Sequence, residues 1–215
     1  MKVNYLQNSI SCVVLGKFEP TMLSLDWLKK TTILPSDLDG KTEILFQAIS
    51  KFRAGVFEFI CQQDRIQIST SDKSRSLQMY DIVSNILKAL PDVQVSAVGI
   101  NGEIQFSFQT LKDSYLFGKY FMNLDAFNET ADKPLVRSFT IEGKLKLSGN
   151  MEAKRSYMIS SIPAELNTSD IPVVSVSVNN HFPVQNSAEA IAALGLISAL
   201  HNVFFEDAEK IIKRV

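Results

Sequence analysis

The chain has 215 residues, 46% of them hydrophobic, and its 22 basic and 23 acidic side chains leave a formal charge of -1. A chain of this length buries roughly 70% of its unfolded surface, so it needs no metal or disulfide to fold. The balanced charge excludes a long-range field that would gather nucleic acid or an anionic membrane. Basic pairs such as Lys29-Lys30 and Lys154-Arg155 read as solvated surface.

Cys12 and Cys61 lie in the apolar surroundings Ser-Cys-Val-Val and Phe-Ile-Cys, as expected of buried, reduced thiols. The first eight residues are too polar for a signal peptide. The apolar run from Ala188 to Phe205 carries Glu189 and His201 and suits a packed helix better than a membrane span. A cytoplasmic protein with no nucleic acid or membrane partner is the expectation.

The first predicted strand is Ser9 to Leu15, ended by Gly16. A short helix follows over Thr21 to Lys30, and Pro35 and Asp39-Gly40 mark a loop. Thr42 to Ser50 is a strand whose pattern also suits a helix. Gly55 to Cys61 and Arg65 to Thr70 form a hairpin, in which Ile66 and Ile68 alternate with Gln67 and Ser69 and leave one face wet. Ser74 to Leu90 is an amphipathic helix with Leu77, Tyr80, Val83, Leu87 and Leu90 on one face, stopped by Pro91.

Val93 to Ile100 and Ile104 to Phe108 are expected to form a hairpin, because Asn101-Gly102 is the strongest two-residue turn signal. Thr110 to Phe121 reads as a helix and Asn123 to Lys133 as a loop. A further hairpin is predicted around Glu142-Gly143-Lys144, followed by strands over Ser156 to Ile162 and Val173 to Asn179. From about Ser187 the chain closes in its longest helix, with Asn186 as N-cap and Glu189 three residues on. Strands joined by short turns imply antiparallel sheets that amphipathic helices must cover. The expected class is α+β, with two sheet-plus-helix halves, 1-122 and 134-215, or one continuous domain.

Chemistry is sparse. The two histidines, His181 in a predicted loop and His201 in the last helix, have no partner at metal-ligand spacing, and Cys-x-x-Cys does not occur; no metal site, cofactor or catalytic residue is assigned. Gly40-Lys41-Thr42 resembles the end of a phosphate loop, but Pro35 stands where its first glycine belongs. Loop positions carry function more often than core ones, which singles out His181. With Tyr157 and Glu58 it supplies the anchors of a hypothetical ligand site. Gly195, Ala192 and Ala199 give the last helix a small-residue surface suited to close approach.

Three segments together resemble a sporadically distributed bacterial family of uncharacterised proteins. They are Asp64-Arg65-Ile66-Gln67-Ile68-Ser69 leading to a helix with Tyr80, Val95-Ser96-Ala97-Val98-Gly99-Ile100-Asn101, and Leu200-His201-Asn202-Val203-Phe204-Phe205-Glu206. The resemblance implies an α+β fold of two halves and no assigned activity.

Three functions are weighed. The leading expectation is a non-catalytic interaction protein, a subunit, adaptor or oligomeric scaffold whose partner is itself or another protein. The alternative is a small-ligand binder with a cavity between a curved sheet and the terminal helix. An enzyme that uses carboxylates alone comes third.

Overall fold

Period-two alternation organises most of this chain. In β1 (Val3–Gly16), Ile10, Cys12 and Val14 are buried while Ser9, Ser11 and Val13 between them are only partly so. Successive side chains of a strand point to opposite faces, so β1 has one face for a core and one left polar. The computed structural model describes residues 2–122, 137–146, 152–162 and 173–213. Within them the same alternation runs through β3 (Ile49–Ala54), β4 (Phe57–Gln62) and β5 (Arg65–Thr70). It continues in β8 (Glu152–Ile162) and in the later parts of β6 (Val95–Phe108) and β9 (Val173–Pro183), where Ala97 to Ile100 and Val173 to Val176 are buried on both faces. With β2 (Gly40–Phe46) and β7 (Ser138–Lys146) they form one nine-stranded sheet, ordered β2-β3-β4-β5-β1-β6-β9-β8-β7. Every described pairing is antiparallel.

The helices α1 (Leu25–Lys30), α2 (Ser76–Ala89), α3 (Leu111–Phe121) and α4 (Ser187–Lys213) all lie on the face that carries Ile10, Cys12 and Val14. α2 touches β1 and β5, α3 touches β6, α4 touches β6 and β9, and α2 packs on α4. Local signals start them. Ser24 Oγ accepts from Trp27 N at 3.2 Å and Thr110 Oγ1 from Asp113 N at 3.1 Å. Asn186 Oδ1 accepts from Glu189 N at 2.9 Å, while the Glu189 carboxylate reaches back to accept from Gln185 N at 2.9 Å. That reciprocal pair is a capping box displaced by one residue.

The expected division into two halves is overturned. Among the described residues strands outweigh helices, and all of the strands belong to a single nine-stranded sheet. β1 begins six residues earlier than expected, at Val3, and pairs with β6 from Val3↔Phe108 to Gly16↔Val95. β6 pairs on its other side with β9, from Ala97↔Pro183 to Ser107↔Val173, so the sheet has no seam. The order strand, helix, strands, helix occurs twice along it, with β1 and β6 side by side at the centre. The loop expected over 123-133 lies outside the described residues.

Two predicted turns are strand interiors. The type I′ turn that Asn101-Gly102 favours has positive φ at both positions, yet among the described residues only Thr32 and Gly55 have positive φ. Neighbours on both sides hold the segment extended: Asn101 is opposite Ser11 and Asn179, and Gly102 opposite Ile10 and Val178. Gly143 likewise sits mid-strand opposite Arg155. The expected strand Thr42 to Ser50 is instead a hairpin that turns at Gln47-Ala48, with Phe46 opposite Ile49. In α2 the packed stripe is Met79, Tyr80, Ile82, Val83, Ile86 and Leu87, and Leu77 is 50% exposed. Leu77 falls off the 3.6-residue stripe that this set defines.

The core is continuous from α1 to α4. Ser50 is fully buried in β3 opposite Cys61 and Leu45, and its Oγ has no hydrogen-bond partner among the described residues. An unsatisfied buried hydroxyl is a cost. Ser50→Ala should therefore leave stability unchanged or raise it by up to about 1 kcal/mol, read as a urea midpoint. A fall of that size would reveal a partner for Ser50.

Candidate functional site

No described helix lies on the second face of the sheet, and its side chains are mostly polar. At its centre Glu103 Oε1 accepts from Ser175 Oγ at 2.7 Å and from Gln105 Nε2 at 2.8 Å. Asn101 Nδ2 donates to Ser11 Oγ at 3.3 Å, and Asn101 Oδ1 is buried without a partner among the described residues. Towards β2 the face carries an ion tetrad. Lys51 Nζ lies 2.9 Å from Glu58 and 3.1 Å from Glu43, and Arg53 Nε lies 3.0 Å from Glu43. The hydrogen bond from Lys51, helped by the charges of Lys51, Arg53 and Lys41, holds the Glu43 carboxyl below the usual carboxylate range. Hydrogen bonds to Glu58 and Glu43 push the Lys51 ammonium up. A cleft of about 410 Å³ opens beside Glu58, lined also by Gln7, Ser9, Arg53 and Ser69.

The three anchors proposed from sequence do not meet. Glu58 and His181 share the polar face, but β5, β1 and β6 stand between their strands. Four inter-strand steps separate them by about 19 Å. Tyr157 is on the helix-covered face, where its hydroxyl lies 3.3 Å from Arg155 Nη1. His181 is in strand β9, not a loop, opposite Gly99 and Lys154. Gly195 and Ala192 are exposed on α4, while Ala190, Ala193, Leu194 and Ile197 turn inward. A Cβ added at Gly195 meets nothing within 4 Å. The side chains of Ala199 and His201 lie outside the described residues.

The cysteines are buried on the helix side, as their apolar context predicts. Burial raises the Cys12 thiol far above its ordinary range. It pushes Cys61 to about 12, with the charge of Glu19 adding. Neither thiol is ionised at neutral pH. Among the described residues no group of three or more His, Cys, Asp and Glu is placed to hold a metal ion, and no helix is long and apolar enough to cross a membrane.

The two ends of the sheet differ in a way that bears on association. An edge strand presents unpaired backbone groups, and proteins blunt such edges with bulges and charges. β2 is blunted in this way. Its pairing with β3 shifts register between Thr42 and Ile44, and Glu43 at the shift is held by Lys51 and Arg53. β7 carries charges, Glu142, Lys144 and Lys146, but no bulge: it pairs with β8 without a shift from Ser138↔Ser160 to Lys146↔Glu152, and contains no proline. Thr140 to Lys144 are all exposed, Ile141 by 52%. Among the described residues no strand lies on its outer side.

Sequence reasoning missed this edge because Glu142-Gly143-Lys144 looks like a turn. The signal that reveals it is the alternation itself, with Phe139, Ile141 and Leu145 on one face and Thr140, Glu142 and Lys144 on the other. No protein-family model matches the chain, and no curated protein matches it. The resemblance carried by the three segments stays an expectation.

Proposed function

We propose that this is a cytoplasmic, non-catalytic assembly protein, a subunit, adaptor or oligomeric scaffold that joins a protein partner by extending its sheet at β7. The observation that supports the reading is the contrast between the edges. A nine-residue, unshifted, exposed strand closes one end of a sheet whose other end is bulged and occupied by an ion tetrad. Addition of a strand to such an edge gives affinity through main-chain hydrogen bonds and specificity through alternate side chains.

The test is native mass spectrometry on protein gently purified from its own cells. The reading expects a mass at a multiple of 24.0 kDa, or 24.0 kDa with an added polypeptide. A bare monomer at every dilution would sink it.

A further inference from the structure

We infer that the partner of the β7 edge is a second copy of the same chain, paired antiparallel about a two-fold axis through Gly143. The inference rests on the assembly reading above and names its partner. In an isologous contact each residue meets its counterpart reflected through the axis, so the edge must be self-complementary. β7 is.

Antiparallel pairing of Gly143 with the Gly143 of a second copy sets Glu142 of each chain opposite Lys144 of the other, on the polar face. It sets Ile141 opposite Leu145 on the helix-covered face. Residues directly opposite in an antiparallel pair always share a face, so the two sheets continue as one and both helix layers fall on the same side. Within its own chain Lys144 stands opposite Lys154, which stands opposite His181. Glu142 of the second copy adds an anion at the end of that row of basic side chains. On the other face the second copy's Leu145 covers Ile141, a large apolar side chain 52% exposed in the single chain. Gly143 brings no side chain to the axis, and the space around it is open: a Cβ there meets nothing within 4 Å.

The β2 edge does not offer this. Its register shift at Thr42/Ile44 bends the strand where a two-fold would need it straight.

Charge reversal tests the register. The dimer dissociation constants of the wild type, Glu142→Lys, Lys144→Glu and the double variant are measured at low salt by analytical ultracentrifugation, with circular dichroism showing that each is folded. Each single reversal turns two attractive pairs into repulsive ones, so each should weaken the dimer about tenfold or more. The double variant re-creates both pairs with their signs exchanged and should return to near the wild-type constant. Single variants that weaken the dimer with a double variant that is weaker still would overturn the two-fold register. Four constants that agree would place the contact elsewhere and overturn the inference while leaving the assembly reading intact. A wild type that stays monomeric would remove both.

Discussion

Replacing Phe106 with Ala should destabilise the protein by about 3–5 kcal/mol. Phe106 is fully buried near the C-terminal end of β6. Its ring meets Phe108 at 5.4 Å and Phe117 at 5.7 Å between centroids, both edge-on. Phe117 continues to Phe121 at 5.1 Å, and Phe121 to Phe139 of β7 at 5.0 Å. This chain of rings ties the central strand, α3 and the β7 end of the sheet into one packed unit. Truncation loses the transfer energy of the ring, leaves a cavity, and removes edge-to-face contacts worth about 0.5–1.5 kcal/mol apiece. In a chain of this size each kcal/mol moves the melting temperature by about 2–4 °C, so the variant should melt roughly 10 °C lower. Phe46, 69% exposed on β2, is the control, and its change to Ala should cost less than about 0.5 kcal/mol. Equal effects at the two sites would mean that the ring cluster does not hold the sheet together.

Asn180→Ala should cost about 2–4 kcal/mol, a large effect for so small a side chain. Asn180 is fully buried on the helix-covered face of β9, among Val178, Phe182 and Ile100. Its Oδ1 accepts from Arg155 Nε at 2.7 Å, and its Nδ2 donates to Ile100 O at 3.5 Å. Arg155 is itself only 8% exposed, and its guanidinium lies 5.9 Å from the centre of the Tyr157 ring. A buried cation that loses an acceptor bears more of its desolvation cost, so the effect is larger than that of an ordinary hydrogen bond. Asn180→Asp keeps an acceptor of the same shape against Arg155 and should be closer to wild type than Asn180→Ala. If the alanine variant unfolds within about 0.5 kcal/mol of wild type, Asn180 is not what satisfies Arg155 in the core.

Legibility followed locality. The hairpin of β4 and β5 was readable because its alternation and its turn lie within fourteen residues, Phe57 to Thr70. The cap at Asn186 was readable because a cap is a contact across three residues. What failed was decided by distant strands. Asn101-Gly102 has the composition of a tight turn, but β1, ninety residues earlier, and β9, about eighty later, pair along both its sides and keep it extended. The real turn at Gln47-Ala48 has no Gly, Asn, Asp or Pro and no positive φ, so it left no mark for sequence reading to find.

The site was less legible than the fold. Glu58 was singled out as a strand carboxylate, and it is one, but its companions are Lys51 and Arg53 rather than His181 and Tyr157. The small residues of the last helix divide. Ala190 and Ala193 pack inward while Ala192 and Gly195 face out, a split that composition alone does not reveal. The β7 edge was hidden because its midpoint, Glu142-Gly143-Lys144, imitates the turn chemistry that usually ends a strand.

The most direct test of edge-to-edge assembly is oxidative cross-linking of Gly143→Cys. Two cysteines directly opposite across the two-fold fall within disulfide reach, and the native thiols at Cys12 and Cys61 are buried and do not compete. Mild oxidation should convert the variant to a covalent dimer of twice the 24.0 kDa chain mass, while a Leu45→Cys control on the bulged β2 edge stays monomeric. A Gly143→Cys protein that remains monomeric while the Leu45→Cys protein cross-links would contradict assembly through β7.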